Sequence, residues 1–399
     1  MSAIGLTRAA ERPDVAATHR SLLAIFLING FVLATWVAYI PMVKERFGLG
    51  DGSLGLTLLA GALGSIAALL LSGGLIGRFG SRLITTITTL SLCVVLPLVV
   101  LNPSYSLLLA TLAILGGGIG SMDVAMNAQA VAVESALARP IMSTLHGLYS
   151  VGALLGAGLA SISLSFGIDP VVHVVGVAIL LAVIGVLSLR HLLPASVDRT
   201  PDGPVFAWPS GPLISLGIIA FLALLSEGAM ADWSAVYFHD GLGTDLGFAA
   251  AGFAAFSLTM ALGRFMGDAL RSRTSSEKVV RFSGAIAAVG LGITLLLGNP
   301  IVALVGLACV GIGLSNVVPV IFSAAGQTRG IATGNAVAAV ATTGYFGFIV
   351  GPPSIGFVAQ ATTLSLGIGL VVGLLGLIAL LANNVRQAGG TIGPGNDTG

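Results

Sequence analysis

Twelve long runs of apolar residues dominate this chain and leave almost no polar surface for a water-soluble globule. Read as helices, they cover about 21–43, 53–76, 83–101, 105–133, 141–167 and 171–192, then 212–238, 246–270, 279–298, 300–326, 331–359 and 363–385. Each holds roughly the 20 residues that a helix needs to cross a hydrocarbon core. Charged types make up 8% of the 399 residues, against about 25% in an average soluble protein. The formal net charge of +1 excludes both an acidic disordered chain and a nucleic-acid binder with a broad basic face. An all-α membrane protein with twelve transmembrane helices is the expectation. The first run is too long for a signal-peptide core and no small-residue cleavage site follows it, so it is expected to stay as the first span.

Between the sixth and seventh runs lies the only long polar stretch between helices, His191 to Gly211, carrying Pro194, Pro201, Pro204 and Pro209. It divides the spans six and six. The expected organisation is a flexible tail (1–18), a six-helix bundle (19–192), a linker (193–211), a second bundle (212–386) and a flexible tail (387–399). Basic residues set the orientation. With the N-terminus inside, the inner loops and ends take nearly all Lys and Arg, including Arg78, Arg82 and Arg264, and the outer loops keep only Lys44 and Arg46. Both termini are then cytoplasmic. Cys93 and Cys309 sit inside apolar runs without metal-ligand spacing, and read as buried small hydrophobes.

The halves echo one another. Gly118-Ile-Gly120-Ser-Met-Asp123 in the fourth helix returns as Gly311-Ile-Gly313-Leu-Ser-Asn316 in the tenth. Trp36 with Tyr39 returns as Trp233 with Tyr237, and Gly152-x-x-x-Gly156 as Gly347-x-x-x-Gly351. Repeats of this kind build transporters in which one bundle rocks against the other around a central site. The glycine pairs read as close helix packing, with Pro352 and Pro353 bending the eleventh helix.

These features, with the loop Gly73-Gly-Leu-Ile-Gly77-Arg78-Phe-Gly80-Ser-Arg82, resemble the major facilitator superfamily over essentially the full chain. The loop looks like the family's G-x-L-x-D-R-x-G-R-R signature with Gly77 in place of its Asp. The counterpart Gly263-Arg264-Phe-Met-Gly267-Asp268 keeps a carboxylate. Asp123-Val-Ala-Met-Asn127-Ala-Gln129, His146-Gly-Leu-Tyr-Ser150 and Glu227-Gly-Ala-Met-Ala-Asp232-Trp233 resemble bacterial inner-membrane members related to the fucose permease. The resemblance implies two pseudo-symmetric bundles, alternating access, a bacterial plasma-membrane location and a monomer. It also places Arg78, Arg82 and Asp268 at gates.

An ionisable group within a span costs on the order of 2.5–3.5 kcal/mol to insert, so each one needs a reason. Gly116, Gly120, Asp123, Asn127 and Glu134 share one stripe of the fourth helix, facing a cavity or forming a polar seam with the fifth. A hairpin turning near Leu137 would set Asn127 level with His146 and Asp123 level with Ser150. Glu134 falls at the cytoplasmic end, where water can reach it. Glu227 lies past the middle of the seventh helix, about 21 Å along it at 1.5 Å per residue, and is the leading proton carrier or substrate anchor. Asp232 falls near the outer boundary, turned away from Glu227, and reads as a gate or interfacial group. Asn29 and Trp36 share a face of the first helix; with Asn316 and Asn335 they complete a set that suits a sugar. Interface anchoring is the alternative for the aromatics.

No Walker loop or HExxH occurs, and Gly50-Asp-Gly52-Ser-Leu-Gly55 follows no strand, so no enzyme, cofactor or metal is expected. The leading function is secondary transport of a small polar solute, a sugar among the candidates, coupled to protons. On this expectation Glu227 loads from the periplasm, and release toward the cytoplasm involves Asp123, with Asn127 and His146 nearby. An exporter of metabolites or drugs, and a non-transporting sensor or assembly factor, remain as alternatives.

Overall fold

The computed structural model describes residues 14–139, 141–194, 209–328, 331 and 333–388, with the side chains of 268, 271–272, 333–335 and 386–388 left aside. Among the described residues, twelve helices are long and apolar enough to span a membrane, and there is no strand. The first six are α1 (Val15–Arg46), α2 (Asp51–Phe79), α3 (Ser81–Leu101), α4 (Tyr105–Leu137), α5 (Met142–Ser165) and α6 (Pro170–Leu189). The second six are α7 (Leu213–Gly241), α8 (Leu246–Arg273), α9 (Ser276–Leu297), α10 (Pro300–Gly326), α11 (Thr333–Ala361) and α12 (Leu364–Leu381). A short α13 (Asn383–Ala388) follows.

Capping chemistry sets where several helices start. The Asp14 carboxylate accepts from Ala17 N at 3.0 Å and the Thr18 hydroxyl donates to His191 O at 2.6 Å. The start of α1 is thereby tied to the end of α6, so α1 begins at Val15 rather than near 21, and residues 15–18 are helix rather than tail. Asp169 before Pro170 and Asn299 before Pro300 each cap two backbone N–H groups, pairing an N-cap acceptor with proline at the first helical position.

The internal symmetry is carried by packing. In the first half α1 lies on α5, α2 on α4 and α3 on α6; in the second α7 lies on α11, α8 on α10 and α9 on α12. The halves meet through α2 with α11 and, equivalently, α5 with α8, with α1 also touching α7 and α8. Helices α1 and α7 are innermost, with 78% and 72% of their most apolar stretch buried, against 28% for α6 and α12. On the outside, Val94, Val289, Leu296 and Leu380 stand exposed, a surface that hydrocarbon satisfies and water does not.

Small residues set how closely the helices approach. A Cβ built on Gly116 would lie 2.0 Å from Gly61 O, and one on Gly152 would lie 2.0 Å from Leu27 O. Only glycine admits those backbones, as at other small-residue membrane interfaces. The glycine stripe of α4 therefore packs on α2. Of the two readings of this stripe, the polar seam with the fifth helix is absent, since α4 and α5 barely touch, and Gly116, Gly120 and Asp123 line a cavity. Where they connect, the Glu134 carboxylate caps the start of α5, accepting from Ile141 N at 2.8 Å and Met142 N at 3.1 Å. Glu134 is thus a capping group rather than a free solvated one. Cys93 is buried as expected, whereas Cys309 is only partly so.

We call the end of the bundle holding Val15, Leu189 and α13 the terminal face and the opposite end the distal face.

Candidate functional site

A cavity of about 490 Å³ lies between the halves and extends to Met142 and Ser143, at the terminal end of α5. The first half lines it with Asn29 and Trp36 of α1, Asp123 of α4, and His146 and Tyr149 of α5. The second half adds Glu227 and Asp232 of α7, Arg264 of α8 and Asn316 of α10, with Tyr345 and Phe348 of α11. Polar groups from both halves therefore face one space.

Two polar links cross the cavity. Arg264 donates from Nη1 to Ser150 Oγ in the other half at 2.7 Å and from Nη2 to Glu227 Oε1 at 3.3 Å. The Tyr345 hydroxyl of the second half interacts with the Asp123 carboxylate of the first. Asn127, expected to face the cavity, turns along its own helix and donates to Asp123 O at 2.8 Å and Asp123 Oδ1 at 3.2 Å. It orients Asp123 and does not line the cavity. His146 lines the cavity with its ring edge-on to Phe26, and Asn127 makes its hydrogen bonds to Asp123 instead.

Several other placements differ from the sequence reading. Asp232, expected at the outer boundary and turned from Glu227, lines the same cavity. Arg264, counted with the inner loops, is in mid-helix and pairs with Glu227. Trp36 lines the cavity, but its echo Trp233 is fully buried elsewhere. Asn316 sits where α10 is interrupted at Ser315–Asn316 and donates to Gly263 O at 2.9 Å. It holds the break against α8 beside Arg264, an irregular stretch at a protein-lined cavity. At the terminal face Arg82 donates to Arg190 O and Arg78 lies over the Phe79 ring, both within the first half. The side chains of Asp268 and Asn335 lie outside those described.

The distal face is held by groups that the sequence reading did not single out. Lys44, at the end of α1, bonds Asp51 of α2 at 2.6 Å and also Asp240 of α7 across the halves. Glu45 Oε1 is 2.9 Å from His239 Nε2, again across the halves, while His239 Nδ1 is 2.8 Å from Thr244 O. A π-helical turn, Tyr237–Gly241, ends α7 and carries both His239 and Asp240. Ser161 donates to Gly247 O at 2.6 Å and Gly52 N to Gln360 Oε1 at 3.3 Å, adding two more cross-half bonds. The halves are thus fastened distally around a cavity that reaches toward the terminal face.

A family model described as Major Facilitator Superfamily matches residues 21–352. The chain belongs to the major facilitator superfamily. An uncharacterised MFS-type transporter of Yersinia pestis is similar to this facilitator, 37% identical over 95% of this chain and 98% of its own. Among solved structures, the nucleoside transporter NupG superposes with a TM-score of 0.71 at 12% identity, over 92% of this chain and 98% of that one. A variant of the E. coli fucose:proton symporter FucP superposes with a TM-score of 0.63 at 16% identity, over 92% and 98%. Structural likeness at such identity carries the fold alone. With the relatives and the family it makes this facilitator a multi-pass membrane transporter and not an enzyme.

Proposed function

We propose that this facilitator is a secondary active transporter that moves a small polar solute across a bacterial inner membrane by alternating access, coupled to protons. The observation that carries the reading is the shared cavity. Its ionisable groups come from both halves, and its cross-half links, Arg264 to Ser150 and Tyr345 to Asp123, must break when one bundle rocks against the other. The distal ion pairs hold one extreme of that motion. With the terminal face cytoplasmic, as the basic residues favour, this extreme is open toward the cytoplasm.

Glu227 is the group we assign to proton coupling. Its partner Arg264 is the one guanidinium among the described lining residues, so protonating Glu227 leaves Arg264 held by Ser150 of the other half alone and changes the cross-half link. Asp123, held by Asn127 and Tyr345, is the second carboxylate of the relay. Purified protein in liposomes should exchange a labelled solute in counterflow. In Glu227→Gln, uptake driven by a pH gradient should be lost while exchange, which needs no net proton movement, is partly retained. Driven uptake at the wild-type level in Glu227→Gln and in Asp123→Asn would overturn the coupling role.

A further inference from the structure

We propose that the solute bound in this cavity is a small organic cation, a primary or secondary amine carrying a planar or ring face. The proposal rests on the transport reading above and adds the charge of the cargo.

Among the described residues, the lining carries three carboxylates, Asp123, Glu227 and Asp232, against a single guanidinium, Arg264. Even a protonated His146 leaves carboxylates in the majority. Several of the lining donors are already committed. Both terminal nitrogens of Arg264 are engaged with Glu227 and Ser150. Asn127 and Tyr345 are engaged on Asp123, and the Asn316 amide is engaged on Gly263 O and Ser315 Oγ.

Trp36 Nε1 and the Tyr149 hydroxyl have no hydrogen-bond partner among the described residues and can receive a hydroxyl or ring oxygen of the solute, while the open acceptors include one that carries charge. The Asp232 carboxylate has no hydrogen bond or ion pair among the described residues. Asn29 is fully buried on the same cavity, and its Oδ1 has no partner. A buried acceptor left unpaired keeps its full desolvation cost. An uncompensated carboxylate costs more, unless a proton or a cation neutralises it.

An ammonium supplies the missing charge and up to three N–H donors, with no acceptor to place. The remaining wall is aromatic, with Trp36, Tyr149, Tyr345 and Phe348, and an electron-rich ring face attracts a cation as well as an apolar ring. An anionic solute would meet Asp232 and Asp123 with Arg264 as the one fixed cation among the described lining residues, and Arg264 is already paired with Glu227. A neutral polyol would satisfy the acceptors but leave the charge excess to protons alone.

The test uses purified full-length protein and two matched sets: tyramine, tyrosol and 4-hydroxyphenylacetate; and glucosamine, glucose and glucuronate. We expect the amines alone to raise the melting temperature and to compete in counterflow. Asp232→Asn should weaken amine binding at least tenfold. If that variant does not fold, competition on the wild-type protein decides, since amines should inhibit exchange and their neutral and anionic partners should not. Binding of neutral or anionic members in preference to the amines, or of no member, would overturn the proposal. Amine binding without any exchange in liposomes would instead overturn the transport reading and leave the charge assignment standing.

Discussion

Replacing Lys44 with methionine keeps an unbranched apolar side chain but removes the cation shared by Asp51 and Asp240. The three side chains are 12%, 22% and 29% exposed, so their charges are only partly screened. Two unit charges 4 Å apart at an effective dielectric of 20 interact by about 4 kcal/mol. Solvent exposure and salt reduce the cross-half attraction to on the order of 1 kcal/mol. Without Lys44 the bare Asp51 and Asp240 carboxylates repel each other in this state, a penalty of similar size. The distally closed state should lose about 2 kcal/mol relative to the distally open one, a shift of roughly thirtyfold in their ratio. Spin labels at Phe166→Cys and Thr362→Cys, on distal ends of opposite halves, read that ratio by pulsed electron resonance once Cys93 and Cys309 are replaced by alanine. Lys44→Met should move the distance distribution outward, and Lys44→Arg should largely restore it. An unchanged distribution in folded Lys44→Met protein would refute the view that this ion pair holds the halves together.

The remaining predictions use the same contacts. Both His239 nitrogens face acceptors, so only the doubly protonated ring donates to Glu45 and Thr244 O together. Raising the pH from about 5.5 to 8, through the usual histidine range, should therefore loosen the distal closure, and His239→Gln should remove that pH dependence from the same distance measurement. Arg264→Ala should lower thermal stability by roughly 1–3 kcal/mol by leaving Glu227 unpaired in a partly buried site, and adding Glu227→Gln should recover part of the loss. Gln129 bonds Ser81 and both backbone groups of Leu193; Gln129→Ala should cost about 2–4 kcal/mol in melting experiments without changing the solute profile of the protein that stays folded. Gly116→Leu drives a side chain into Gly61 O and should cost about 1–3 kcal/mol or more, read as a lower melting temperature and lower yield of monodisperse protein.

Much of the architecture was legible in the sequence because lipid makes local demands. A span must be apolar for about 20 residues and must satisfy its own backbone, so twelve runs read directly as α1 to α12. The echoes between the halves return as the paired packing of α1 on α5 with α7 on α11. Glu227, Asp123, Trp36 and Asn29 stood out because polar and aromatic groups inside a span need a reason, and all four line the cavity.

Contacts between helices distant in the chain were decided only by the tertiary structure. Helical periodicity gave the face that Gly116 and Gly120 share but not the neighbour, which is α2 rather than the sequence-adjacent α5. Arg264 looked like one more basic residue of a cytoplasmic loop until α8 carried it past Glu227 and Ser150. Asp232 looked peripheral because counting along one helix gives height and angle, not the shape of the space that eleven other helices leave beside it. Lys44, Glu45, His239 and Asp240 lie nearly two hundred residues apart in pairs and read as ordinary loop charges; they form a latch only because the π-turn at the end of α7 brings its two residues against the end of α1. An apolar span is specified by its own solvent, whereas a cross-half ion pair is specified by two bundles meeting, and that meeting has no local signature in the chain.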